Sequence, residues 1–382
     1  MGHLLRIPGP TPIPPQVTQA MAQPMIGHRS QACKDLIKKI TPKLNRVFGS
    51  ASDVLVLTGS GTSALEAAVV NMTDPGDEVL VVVTGAFGGR FASIAEAYGL
   101  QVHCHDIEWG KAADPSHVQD HLKQHPGIKT VFLTHCETST GVLNPVSEIA
   151  KTIRKVSDAL VVVDGVSSVG GAEISLDKDG IDLLVSGSQK ALMLPPGLAF
   201  VAVSERARKV IEHVQRPRFY LDLRKYCGNW NDGQTPFTPA LSLLMGLDEV
   251  LDMQLEEGID AIFQRHLIMR DMTRAAMKAL EIPLLTNEVD ASTTVTSVKP
   301  TAFDAEAFRK TVHESFGLLL AGGQQHLKGE IFRIGHMGYC TPEDILETIK
   351  RMEAGLKKMG VPFESGAGLE AAERKWKEAM HA

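Results

Sequence analysis

The chain has 382 residues, 43% of them hydrophobic and 22% charged, with a formal net charge of −6. That composition suits a folded protein of about two or three domains. It argues against nucleic acid or an anionic membrane as partner, and no run reaches the ~18 apolar residues of a membrane span. The N-terminus, MGHLLRIPGPTPIPP, lacks the apolar region of a secretory signal, and the C-terminus shows no address signal. The five cysteines (Cys33, Cys104, Cys136, Cys227 and Cys340) include no C-x-x-C pair. No metal site is expected, and free thiols of this kind suit a reducing compartment, so the expected location is the cytoplasm.

In chain order, residues 1–15 read as an extended arm. Pro8, Pro10, Pro12, Pro14 and Pro15 remove donors and fix φ, so no helix forms there. Such an arm needs a surface to lie on, for which a partner subunit is one candidate. From about residue 16 to 257 short apolar strands alternate with helices. Strands are expected at 53–58, 78–83, 101–105, 130–134, 160–164, 182–186 and 199–203, and helices at 62–72, 91–98, 115–124 and 145–156. Apolar strands alternating with helices predict an α/β fold with a parallel or mixed sheet covered on both faces. Residues 258–382 read as a smaller α+β domain, with helices at 259–280, 304–316 and 342–358, strands at 293–298 and 331–334, and a tail helical at its end.

In such sheets ligands bind at the carboxyl ends of the strands, and the chemically active residues follow strands here. Lys190 lies on the small-residue turn Ser186-Gly187-Ser188-Gln189-Lys190, where an amine has room for an aldehyde adduct. Asp164 ends the run LVVVD; a carboxylate there either caps a turn or keeps a bound pyridine nitrogen protonated. The 26-residue interval from Asp164 to Lys190 fits two crossovers. Thr58-Gly59-Ser60-Gly61-Thr62 is a strand, a glycine turn and a helix start, either a plain capped turn or a phosphate cradle built from free N–H groups. His135-Cys136-Glu137-Thr138-Ser139-Thr140-Gly141 follows another strand and offers hydroxyls. Arg333 sits in the apolar run Phe332-Arg333-Ile334-Gly335, where a guanidinium needs either a structural carboxylate or that of a substrate.

Taken together, PGPTPIPP at 8–15, TGSGTSALEAAVVN from Thr58, THCETSTGVLNP at 134–145, VVDGVSSVGG at 162–171, SGSQKAL at 186–192 and FRIGHMG at 332–338 resemble the class V, fold-type I aminotransferases dependent on pyridoxal 5′-phosphate. The nearest likeness is to the alanine–glyoxylate and serine–pyruvate aminotransferases, and it spans nearly the whole chain. The resemblance implies a mostly parallel, seven-stranded type of sheet and a homodimer with shared active sites. It implies that Lys190 carries the cofactor as a Schiff base and shuttles a proton, and that Asp164 pairs with the pyridinium nitrogen. Gln189 and Ser60, Gly61 and Thr62 would hold the phosphate. Thr138 would sit by the ring, Phe87 would stack on it, and Arg333 would bind the substrate carboxylate. Thr235 and Thr238 would reach the phosphate of the neighbouring subunit, and Gly27 and His28 would line the substrate pocket.

The chain departs from its relatives in places. Thr62 stands where several have His, Phe87 where some have Trp, and Thr235 where mammalian-type enzymes have Tyr. A ureidoglycine-type relative would carry Gln at the His28 position. The implied reaction is a ping-pong transamination between alanine or serine and glyoxylate or pyruvate. Other class V activities, such as 2-aminoethylphosphonate or ureidoglycine transamination, share the same cofactor residues. A cysteine desulfurase would need a loop cysteine before the Arg333 strand, and Cys340 follows it. A non-catalytic binding protein on the same fold would lack Lys190.

Overall fold

The computed structural model describes residues 3–381. Met1 and Gly2, at the start of the expected arm, and Ala382, at the end of the tail, lie outside the described residues. The centre is a seven-stranded sheet of β1 (Val54–Gly59), β2 (Glu78–Val83), β3 (Gln101–Asp106), β4 (Ile128–Thr134), β5 (Leu160–Asp164), β6 (Leu183–Gly187) and β7 (Gly197–Val203), in the order β1-β7-β6-β5-β4-β2-β3. Only β7 runs antiparallel to its neighbours. The expected α/β class and mostly parallel sheet are therefore present. Every residue of β5 and β6 is buried, which explains the apolar side chains of Leu160–Val163 and Leu183–Val185. Each such side chain contributes about 1.5–3 kcal/mol over its exposed state.

β5 and β6 are sheet neighbours, with Asp164 opposite Val185. A single connection of turns joins them instead of the two crossovers expected. The helix Ala86–Ala97, here α2, begins five residues earlier than its sequence suggests. Its first turn, with two glycines, has no apolar period of its own and is held by tertiary contacts described below. The 18-residue helix Gln31–Phe48, capped by Ser30, was not expected; Pro42 inside it interrupts the helical pattern.

A second apolar core gathers Met272, Phe308, Phe332, Ile345 and Met352. It packs around the antiparallel sheet of β8 (Val295–Val298), β9 (Ala321–Gly322) and β10 (Phe332–Gly335). The arm lies on its own chain. Leu4 and Leu5 pair in parallel with Leu318 and Leu319, and Gly335 N–H donates to the Arg6 carbonyl at 2.7 Å. Arg6 also meets Asp344 at 2.9 Å. No helix among the described residues is long and apolar enough to cross a membrane.

Candidate active site

At the carboxyl ends of β1, β5 and β6 lies a cavity of about 300 Å³, lined among others by Gly9, Ser60, Gly61, Thr62, Phe87, Arg90, Asp164, Val166, Gln189 and Lys190. Seven residues singled out from the sequence, Ser60, Gly61, Thr62, Phe87, Asp164, Gln189 and Lys190, thus share one cavity. Strand order does this: β5 and β6 end side by side, and β1 ends across β7 from them.

Lys190 is buried, and burial lowers its ammonium pKa to about 8. Its Nζ donates to the Pro8 carbonyl. Thr11 Oγ1 donates to the Lys190 carbonyl at 2.9 Å. The arm therefore forms one wall of the cavity. Gly9 has φ +119°, and a Cβ there would meet Lys190 Cδ, Cε and Nζ at 2.6–2.9 Å, so only glycine fits.

Asp164 is also buried, which pushes its carboxyl up to about 7; Val166 N–H opposes the shift by donating to Oδ1 at 2.8 Å. The helix Gly61–Met72, α1, starts at Ser60 without a side-chain cap, so its first N–H groups and dipole face the cavity. A Cβ at Gly61 would meet Val166 Cγ2 at 2.9 Å. Gln189 Oε1 is buried without a hydrogen-bond partner.

Glu137, which the sequence reading left unassigned, organises the opposite wall. Its buried carboxylate accepts from Phe87 N–H and Gly88 N–H, each at 3.1 Å, and from Ser139 Oγ at 2.5 Å. These bonds cap the first turn of α2 and fix the backbone of Phe87. Burial raises the Glu137 pKa. Arg90, whose guanidinium carbon lies 4.8 Å from the Phe87 ring centre, was missed as well; it stands in the segment GAFGGR, three residues after Phe87. The arm residues Pro8 and Gly9 carried no local chemical signal.

Arg333 and Thr138 stand beside this cavity rather than among its lining residues. Arg333 donates from Nε to the Gly322 carbonyl at 2.8 Å and from Nη1 to the Thr138 carbonyl at 2.9 Å. Among the described residues Nη2 has no hydrogen-bond partner and no carboxylate forms an ion pair with the buried guanidinium, though the charge of Glu137 acts on it. Burial lowers its pKa to about 10. Thr138 Oγ1 lies 2.5 Å from Ser167 Oγ. Gly27, His28, Thr235 and Thr238 do not line the cavity of their own chain. Arg29 ties their two segments together, donating to the Thr235 carbonyl at 2.7 Å, and the neighbouring Phe219 and Tyr220 are exposed.

The donor set fits a phosphorylated pyridine aldehyde: a largely desolvated amine, a buried acid, an aromatic side chain, an uncapped helix start and an unpartnered amide around one cavity.

The sequence profile described as Aminotransferase class-V matches residues 3–346. An uncharacterized aminotransferase of Methanocaldococcus jannaschii is 44% identical over 97% of this chain and 96% of its own length. The small subunit of a soluble hydrogenase of Synechococcus is 42% identical over 97% of both chains. A serine–glyoxylate aminotransferase of Methylorubrum extorquens is 34% identical over 97% of this chain and 94% of its own. The solved ureidoglycine–glyoxylate aminotransferase of Bacillus subtilis superimposes with a TM-score of 0.92 at 31% identity, covering 98% of each chain.

Proposed function

The chain belongs to the class-V aminotransferases, and from that membership we propose that it moves an amino group from alanine or serine to glyoxylate or pyruvate. As an aminotransferase it acts on an amino acid and a 2-oxo acid, and its cofactor is pyridoxal 5′-phosphate. When bound, the cofactor supplies an aldehyde carbon that takes the amino group and a ring that accepts the electron pair released at Cα.

In the proposed division of labour, Lys190 Nζ holds the cofactor between turnovers and then takes the Cα proton as general base. In the cofactor-free site its pKa of about 8 leaves a useful neutral amine fraction near neutral pH to take up the aldehyde. Asp164 would share a proton with the pyridine nitrogen and so keep the ring electron-poor. Ser60, Gly61, Thr62 and Gln189 hold the phosphate. Phe87 would pack on the ring, and Thr138 would stand beside it. Arg333 takes the substrate carboxylate. The observation that carries this reading is the meeting of two buried titratable groups, Lys190 and Asp164, in one cavity, with a buried arginine next to it that forms no ion pair among the described residues.

The same reading makes the enzyme a homodimer. Thr235 and Thr238 reach the partner's phosphate, and Gly27 and His28 line the partner's substrate pocket. The exposed aromatic side chains of Phe219 and Tyr220 support this. It also divides the chain into an arm (1–15), a large domain (16–257) and a small domain (258–382), supported by the two separate apolar cores. The small cavity and the serine–glyoxylate relative support small substrates. His28, where a ureidoglycine enzyme would have Gln, weighs against that donor.

The test is a titration of the cofactor-loaded protein with single amino acids, following its visible absorbance. Bleaching by alanine or serine at lower concentration than by aspartate, 2-aminoethylphosphonate or ureidoglycine supports the reading; the reverse order overturns it. Lys190→Ala is expected to lose the visible band and on the order of 10³-fold or more in rate.

A further inference from the structure

The phosphate proposed for the cavity of Lys190 has no full positive charge among its proposed holders. Ser60, Gly61, Thr62 and Gln189 are neutral, and so are Thr235 and Thr238, expected from the partner subunit. A phosphate monoester carries a charge of about −1.5 to −2 at neutral pH, and the helix start at Ser60 offsets only about half a charge. At least about one negative charge is left to be met. Among the described residues that line the cavity, only Lys190 and Arg90 can carry positive charge. In the proposed function Lys190 is committed to the aldehyde, which leaves Arg90.

We propose that Arg90 supplies this charge and binds the cofactor phosphate. The inference rests on the reading that the turn at Ser60–Thr62 cradles that phosphate. Arg90 stands three positions after Phe87 on α2, so the two side chains are neighbours on one helix face. The guanidinium carbon lies 4.8 Å from the Phe87 ring centre, and Nη1 donates to Thr62 Oγ1 at 3.4 Å. The hydrogen bond spans from α2 to the first turn of α1. Arg90 is exposed, yet these two contacts hold its head group against the cavity instead of out in solvent.

The guanidinium is otherwise uncommitted. Arg154, Arg224, Arg265 and Arg309 each pair with a carboxylate. Among the described residues Arg90 forms no ion pair, and Thr62 is the one hydrogen-bond acceptor it meets. Its remaining N–H donors form a planar fork that suits phosphate oxygens. Its charge already reaches into the cavity, where it favours the ionised form of the Asp164 carboxyl.

The test compares two probes, pyridoxal 5′-phosphate and pyridoxal, which lacks the phosphate. Each is titrated into the full-length protein freed of cofactor, and binding is read from visible absorbance and from the rise in unfolding temperature. Arg90→Gln should weaken binding of pyridoxal phosphate about tenfold and leave binding of pyridoxal unchanged. Arg90→Lys keeps the charge without the fork and should recover part of the loss. Added salt should weaken the wild-type affinity for pyridoxal phosphate more than that of Arg90→Gln. Equal loss for both probes, or loss for neither, overturns the proposal. Gln189→Ala separates that result from failure of the underlying reading. A phosphate-dependent loss in Gln189→Ala alone means that the phosphate sits at the turn without help from Arg90. No phosphate-dependent loss in either variant means that it sits elsewhere, and both readings fall. Arg90 is exposed, so its substitutions leave the fold intact.

Discussion

The side-chain nitrogen of Lys190 donates its hydrogen bond to the main-chain carbonyl of Pro8, 182 positions away in sequence. The bond makes the N-terminal arm part of the lysine's environment, and Gly9 is the residue that permits the approach. Gly9→Ala combines a positive φ with a clash against the lysine stem. With strain of about 1–3 kcal/mol at such a position, cofactor affinity should fall roughly tenfold or more. A titration of apoprotein with pyridoxal phosphate, read by absorbance, measures this. Unchanged affinity would mean that the arm yields freely.

Buried Asp164 and Lys190 oppose each other in their effect on stability. Asp164 has a folded pKa of about 7 against an ordinary 3.8. The folded apoprotein keeps a proton that the unfolded chain has lost, so stability falls as pH rises from about 4 to about 7. Lys190 has a folded pKa of about 8 against 10.5. There the unfolded chain keeps the proton longer, and stability rises from about pH 8 to 10.5. Together they place a minimum between pH 7 and 8, on the order of a few kcal/mol deep. Urea midpoints of apoprotein, compared with those of an Asp164→Asn/Lys190→Met double variant across pH, should reveal this trough as a difference. A flat difference would show that neither group is as desolvated as its burial implies.

Arg333 has two of its nitrogens occupied by the Gly322 and Thr138 carbonyls and is proposed to offer the rest to the substrate. Charge-assisted hydrogen bonds are worth about 1.5–3 kcal/mol, so Arg333→Ala should reduce kcat/KM for the amino donor by about 10²-fold. Lysine at the same position restores the charge but not the fork and should recover only part of the loss. Steady-state kinetics with alanine and serine test both variants. A loss confined to kcat would point away from ground-state carboxylate binding.

Glu137→Gln replaces an acceptor-only carboxylate that takes the Phe87 and Gly88 N–H groups on one oxygen and the Ser139 N–H and hydroxyl on the other. The amide can accept at one atom only, so at least one buried donor is left unmet, at a cost of about 1–3 kcal/mol. The variant should unfold at a lower temperature and release its cofactor faster, because either the start of α2 or the Ser139 turn loses its anchor. Ser139→Ala removes one bond to Glu137 and the acceptor of the Ala86 N–H but leaves the carboxylate on Phe87 and Gly88, and should do less. Equal effects would locate the importance in the hydroxyl.

The amino-acid sequence by itself determined the local elements and the chemical cast. β5 and β6 are readable because the body of a strand buried on both faces must be apolar, and Asp164 and Lys190 stand out because one ends such a strand and the other follows one. The turn at Ser60–Thr62 is legible for the same local reason. The tertiary structure alone decided what no short window contains. Strand order set β5 beside β6 and required a single connection between them. Burial of the arm against β10 brought Pro8 to Lys190, although prolines alone indicate only an extended segment. Glu137 looked like one more polar residue in a hydroxyl-rich loop until folding placed the N-terminus of α2 above it. Arg90 met Thr62 in the same way. Periodicity and turn chemistry act over a few residues, whereas a hydrogen bond between positions 8 and 190 exists only after the chain between them has packed.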